Sequence, residues 1–192
     1  MTNIRTWINL VENTDHDREF YINQANKFRK ERAKWWPVSK KLLANNYKDG
    51  SQTEKTADGT RVWYKNGEVH RDDDRPAIIY ADGGLVWYKN GEYHRDGDKP
   101  ARIDEDGTLG WWKNGKIHRD GDKPAVIGSD GLLVWYKNGQ RHRVLGPAVI
   151  DKNNNFEWWF RGDEIPVNSQ EEYEEWIHKN HPFDNEIKQL YY

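Results

Sequence analysis

The sequence predicts a mainly β protein with helical ends, an α+β chain whose centre is an antiparallel β-hairpin repeat array. Three observations carry this reading. Trp63, Trp87, Trp111, Trp135 and Trp159 recur at 24-residue intervals, the mark of one small supersecondary unit copied along a chain. Each of the four intervals holds an Asn-Gly pair, at Asn66-Gly67, Asn90-Gly91, Asn114-Gly115 and Asn138-Gly139. That pair is the preferred centre of a two-residue hairpin turn, because both positions need positive φ. Segments without the repeat but with helical patterning lie on both sides of it.

Taken in order, residues 1–50 form a helical N-terminal region. Ile4, Trp7, Ile8 and Val11 fall at helical spacing and predict a helix over about 4–12. A second helix starts after Asn13-Thr14-Asp15, runs through Phe20, Tyr21, Gln24 and Phe28, and is expected to stop near Trp36 because Pro37 follows. Ser39 opens a short third turn through Leu42 and Leu43. Residues 51–57 read as a linker at the end of a loop-like, polar stretch. The array occupies 58–165, with four copies opening at Asp58, Asp82, Asp106 and Asp130 and a degenerate fifth at Asn154. In the tail, 166–192, Ser169 and Glu172 make a capping box for one helix that His181-Pro182 ends.

The Asn-Gly turn sets the register within each copy. Lys65 faces Glu68, Tyr64 faces Val69, Trp63 faces His70 and Val62 faces Arg71, with alternating sides. The indoles Trp63, Trp87, Trp111, Trp135 and Trp159 therefore share a side with His70, His94, His118 and His142, and both sets are assigned a structural role. The other side is expected to hold Tyr64, Tyr88, Trp112 and Tyr136 beside Arg71, Arg95, Arg119 and Arg143. A third strand, Pro-Ala-x-Ile, completes the unit, with proline at a strand's first position where no ladder donor is needed. Three strands at roughly 4.8 Å spacing advance a single-layer meander by about 14 Å per copy. The helical ends then cover the ends of the ribbon or one aromatic face.

Composition narrows the function classes. Eleven Trp and ten Tyr argue for a packed chain and against disorder. A net charge of −2 gives no overall attraction to nucleic acid or membrane. Residues 1–50 are nonetheless basic, with 10 Lys and Arg against 6 Asp and Glu, while 164–192 carry 2 against 7. The absence of cysteine excludes disulfides, thiol nucleophiles and thiolate metal sites. No apolar run approaches the length of a membrane span, and no signal sequence follows Met1, so a cytoplasmic location is expected, with no membrane partner.

Candidate chemistry is sparse. Four arginines repeated beside Tyr64, Tyr88, Trp112 and Tyr136 suit phosphate or carboxylate recognition, or else pair with Asp72, Asp96 and Asp120 inside their own copies. The Trp ladder either stacks nucleobases, at about 1–3 kcal/mol each, or fills the sheet's own packed face. The four repeat histidines, about 14 Å apart on the single-ribbon reading, are too distant to share a metal ion. The Asp-x-Asp segments fall short of a calcium site because the fourth copy, Val144-Leu145-Gly146, has no carboxylates. The serines lack nucleophile-elbow context, and there is neither a Gly-rich phosphate loop nor an HExxH motif. Neither catalysis nor a cofactor is expected. Lys27, Arg29, Lys30, Arg32, Lys34, Lys40 and Lys41, interleaved with Phe28, Trp35 and Trp36, either contact nucleic acid or an acidic protein, or form a solvated helix face.

The unit WYKNGxxHRDGDKPAxI, with its Asp-Gly opening, resembles a variant of the MORN-type repeat. It is most similar to the WY-x-NG-x-x-HR-x-DGPA repeat proteins of bacteriophages and large viruses. The resemblance covers 58–165 and implies a single-layer, trough-like sheet of short hairpins. Arg75, Lys99 and Lys123 stand where that pattern has Gly before Pro, and only Gly146-Pro147 keeps it. By analogy the chain is expected to be a non-catalytic, phage-encoded binding protein that blocks or sequesters a host component of antiviral defence. The favoured partner is a host protein. A nucleotide signal, nucleic acid, a homo-oligomer or a structural role in a virion are the alternatives.

Overall fold

The computed structural model describes residues 14–44 and 52–191. The helix expected over 4–12 lies outside the described residues. Helix α1, Thr14–Ala44, is followed by short antiparallel strands to Asp163–Ile165 and then by α2, Gln170–Asn180, and α3, Asn185–Tyr191. The fold is thus the expected hairpin array with helical ends, with four corrections to its parts.

First, α1 runs unbroken through Pro37 and absorbs the separate turn expected from Ser39. A proline inside a helix costs about 3 kcal/mol, a local penalty that a 31-residue helix docked through Tyr21, Arg29, Glu31 and Trp35 tolerates. Second, the expected linker contains a strand, Gln52–Lys55, which pairs with Arg61–Lys65 and opens the sheet. Third, the tail holds two helices. Ser169 caps α2 by accepting from the Glu172 N–H, as expected, and α3 follows the turn at His181.

The fourth correction concerns the sheet itself. Copies two to five each contribute two strands to one 12-stranded sheet and the first copy, whose hairpin stays attached, three, while the Asn-Gly hairpins of copies two to four leave it as separate two-stranded ribbons. Each repeated Trp is the branch point. The Trp87 N–H donates to the Ala101 carbonyl in the main sheet, and the Trp87 carbonyl accepts from His94 in the hairpin. Trp63, Trp111 and Trp135 make the same pair of bonds. Val62 therefore faces Ile78 instead of Arg71. With two strands per copy the array advances roughly 9.6 Å per repeat instead of 14 Å.

Cross-strand partners share a face, so the ladder pairings trace two rows. Ile79, Leu85, Ile103, Leu109, Ile127, Leu133 and Ile150 lie on one side, joined by the buried repeat tryptophans. This is the core, and Tyr21, Ala25, Phe28 and Trp35 of α1 pack against it. Val62, Ile78, Val86, Arg102, Gly110, Val126, Val134 and Val149 form the opposite row. A second cluster, around Trp158, Phe160, Tyr173, Ile177 and Ile187, seals the array's end with α2 and α3.

The fifth copy also corrects a residue assignment. Its turn is Arg161-Gly162, and Trp158, three residues before it, pairs with Ile165 in the place where Trp135 faces His142. The fourth copy's loop is one residue short: Arg143 reaches the carbonyl of Pro147 four positions on, where Arg119 reaches that of Pro124 five positions on. Trp158 is thus the buried structural indole, and Trp159, despite its 24-residue spacing, occupies the position of Tyr136.

Candidate functional site

The arginines do not share a side with the tyrosines. Strand alternation ends with the second hairpin strand, and beyond the histidine the chain turns back, so that each guanidinium lies over the indole of its own copy. Arg71 is 3.8 Å from the Trp63 ring centroid, Arg95 3.7 Å from Trp87, Arg119 3.8 Å from Trp111 and Arg143 4.1 Å from Trp135. Such contacts are worth about 0.5–1 kcal/mol when exposed and about 2 kcal/mol when desolvated. Each arginine also donates to a proline carbonyl in the following loop.

Three of the four reach back to the preceding copy. Asp74 receives Arg95 at 2.7 and 3.2 Å together with Lys99 at 2.7 Å. Asp98 receives Arg119 and Lys123 in the same way, and Asp122 receives Arg143. The partners are therefore the third residues of the Asp-x-Asp segments, one copy back, and not Asp72, Asp96 or Asp120 as expected within the copy. Asp74, Asp98 and Asp122 sit at φ of 55, 50 and 46°, a left-handed conformation that aspartate tolerates better than most residues. Burial raises the Asp74 carboxyl, but its bonds to Arg95 and Lys99 outweigh this and hold it below its ordinary value.

Asp72, Asp96 and Asp120 serve the histidines. His70 Nε2 lies 2.9 Å from Asp72, and Lys65 binds the other oxygen. These bonds, Lys65 first and His70 second, hold the Asp72 carboxyl at about 2. His70 Nδ1 accepts the backbone N–H of Asn90, in the next copy's turn, while Gly91 donates to the Val69 carbonyl. The bonding fixes the neutral tautomer with its proton on Nε2. His94 with Asn114 and His118 with Asn138 repeat the arrangement, and His142 with Arg161 extends it to the degenerate copy. The Asn-Gly turn thus points two N–H groups at the preceding copy, and the histidine is there to receive one.

Helix α1 completes the clamp. Glu31 accepts from Arg119 at 2.7 Å and Gln24 from Arg143 at 2.5 Å. Seven residues of helix rise roughly 10.5 Å, close to the pitch of one repeat. In the basic stretch, Arg29 donates to the carbonyls of Gly131 and Asp151 and Arg32 to that of Asp106, while Phe28 and Trp35 pack on the core. Cavities of about 270, 410 and 320 Å³ recur between adjacent copies, but Arg95, Arg119 and Arg143, which border them, are the ion-paired ones just described.

The tyrosines behave differently. Tyr64, Tyr88, Trp112 and Tyr136, joined by Val69, Tyr93, Ile117, Arg141 and Trp159, are all half-buried on the hairpins of the face turned away from α1. Tyr88 and Tyr93 stand 4.4 Å apart between ring centroids, and Tyr93 and Trp112 5.4 Å. Burial, then a hydrogen bond with Tyr93, pushes the Tyr88 phenol up. Trp112 folds over Gly110: a Cβ there would lie 2.0 Å from Trp112 Cζ3. Sequence reasoning named Tyr64, Tyr88, Trp112 and Tyr136, and its hairpin register put Tyr93 opposite Tyr88, but it missed Tyr80 and Arg102, which it could have found as departures from the copies' own consensus on this face.

No family model matches the chain. A stretch of 32 residues is 62% identical to part of an uncharacterized protein of Acanthamoeba polyphaga mimivirus, covering 16% of this chain and 9% of the viral protein. Among the described residues no helix is long and apolar enough to cross a membrane.

Proposed function

We propose that this chain is a non-catalytic binding scaffold that holds a protein partner against the aromatic face of its hairpins. One observation carries the reading. The charged residues that recur in every copy bond to neighbouring copies, to the tryptophans and to α1, whereas the aromatic row Tyr64, Tyr88, Tyr93, Trp112, Tyr136 and Trp159 stays half-exposed. Tyr and Trp at a rigid surface give large contact area at low entropic cost and dominate binding hot spots. The likeness of a short stretch to a viral protein fits a virus-encoded chain; the further reading, a MORN-like inhibitor in the host cytoplasm with a host protein as partner, rests on the resemblance of the repeat unit.

A second reading has one observation in its favour: the three equivalent cavities between copies, each bordered by arginine, lysine and indole, are the right size for a small anionic ligand such as a nucleotide. Their arginines would have to leave Asp74, Asp98 or Asp122 to bind it.

Capture from host lysate tests the first reading. The unaltered chain and a control, Lys30→Ala on the exposed side of α1, should retain the same protein, and Tyr93→Ser with Trp112→Ser should lose it. Equal capture by all three would remove the aromatic face as the interface. Calorimetric titration with nucleotides tests the second reading, for which heat uptake abolished by Lys99→Ala and Lys123→Ala is the expected sign.

A further inference from the structure

The copies are not identical, and their differences gather in one place. Where other copies have Val or Ile in the outward row, the second has Arg102. Tyr80 stands where later copies have Asp104, Gly128 and Asp151, and Gly84 stands where Thr60 and Thr108 do. A Cβ on Gly84 would come within 3.1 Å of the Tyr80 ring, so the glycine makes room for it. Tyr93 replaces Val69 and Ile117, and Gly110 with Trp112 replaces Val with Tyr. Duplication copies every residue, so clustered departures with compensating glycines mark a surface shaped separately from the scaffold.

The surface has a definite electrostatic character. Tyr80 is 37% exposed and borders a cavity of about 490 Å³ with Asp82, Gly84, Arg102, Asp104, Glu105 and Asp106. Arg102 is held by Asp104 at 2.6 Å. Among the described residues neither Asp82 nor Glu105 has an ion-pair partner. The Asp82 carboxylate accepts from the Gly84 N–H, which fixes one oxygen and leaves its charge uncompensated. Tyr93 and Trp112 continue the aromatic floor on the hairpin side.

Taking as its basis the reading that the hairpin face is the interface, we propose that this region, Tyr80, Tyr93 and Trp112 beside Asp82 and Glu105, docks an arginine- or lysine-bearing segment of the protein partner. A cation here lies over the negative face of an aromatic ring and gains two uncompensated carboxylates. A phosphate or an acidic peptide meets an excess of negative charge, so nucleic acid is disfavoured at this face.

The test uses labelled hexa-arginine, hexa-glutamate and a single-stranded DNA oligomer as probes of the purified chain, read by fluorescence anisotropy at low and moderate salt. Hexa-arginine should bind, and the affinity should fall at least fivefold in Asp82→Asn with Glu105→Gln and in Tyr80→Ala. Asparagine at 82 keeps the acceptor for Gly84, so this variant retains the turn. Glu171→Gln with Glu175→Gln, on the distant α2, should leave the affinity unchanged. Binding of DNA or hexa-glutamate in preference, no binding of hexa-arginine, or equal loss in the α2 variant would each overturn the proposal. Should lysate capture fail with Tyr93→Ser and Trp112→Ser yet survive Asp82→Asn with Glu105→Gln, the basic segment is wrong and the interface stands. Should the aromatic variants leave capture intact, the interface itself is wrong.

Discussion

The guanidinium of Arg119 lies over Trp111, and its nitrogens reach Asp98 of the preceding copy, the Pro124 carbonyl and Glu31 of α1. Its side chain is 2% exposed, while Asp98 and Glu31 keep some contact with water at 44% and 20%. Removing it leaves Glu31 without its cation and Asp98 with Lys123 alone, and breaking a buried pair costs about 3–5 kcal/mol. The partial exposure of both acids puts Arg119→Ala at the lower end, about 3 kcal/mol, measured as a shift in the urea midpoint. Arg119→Lys should fall between the two, because an ammonium cannot reproduce the planar fork. Glu186 gives the pH dependence. Hydrogen bonds from His142 and then Lys137 outweigh burial and lower its carboxyl from an ordinary 4.5 to about 2. A carboxyl lowered on folding stabilises the folded state above its unfolded value and loses that contribution as pH falls through its folded one. The stability difference between the unaltered chain and Glu186→Gln should therefore be full at neutral pH, begin to shrink below about pH 4.5 and close near pH 2. A gap that persisted at pH 2 would mean that the carboxylate does not hold α3.

At the scale of the element, the third copy contains a test of how its strand and hairpin fit together. Copies one, two and four carry Val62, Val86 and Val134 two residues before Tyr64, Tyr88 and Tyr136, and the third pairs Gly110 with Trp112. Gly110→Val should destabilise by about 1–3 kcal/mol through overpacking. Adding Trp112→Tyr should recover most of it, since the double variant restores the neighbouring copies' pattern. Thermal unfolding of the four-member cycle gives the coupling, and additive losses would contradict the packing of Trp112 over Gly110. The elements themselves were largely legible, because Asn-Gly turns and the Ser169 cap act over four residues. What was hidden acts at longer range. Proximity in sequence favours Asp96, in its own copy, as the partner of Arg95, whereas the fold gives Asp96 to His94 and brings Asp74, 21 residues back, to Arg95. The missing residue in the fourth loop made Trp159 look like the next indole when Trp158 fills that place. Pro37 read as a stop because its penalty is local, whereas the contacts that dock α1 ahead of it are with residues about a hundred positions away.

At the scale of the molecule, α1 spans the array lengthwise, antiparallel to the order of the copies: Gln24 meets the fourth and Glu31 the third. The match between seven helical residues and one two-strand repeat lets a straight helix engage successive copies in register. One side of the sheet is thereby buried under α1, and the other, where Tyr64, Tyr88, Trp112 and Tyr136 lie, stays available for binding. The sequence found those four residues but put the arginines beside them, because alternation was extended past the strand's end. The division of labour between faces is tested most directly by hydrogen–deuterium exchange of the chain alone and bound to its captured partner. Slowed exchange concentrated in residues 78–93 and 102–117 is the predicted result. Protection confined to α1 and the Asp-rich loops, with those hairpins exchanging as before, would contradict it.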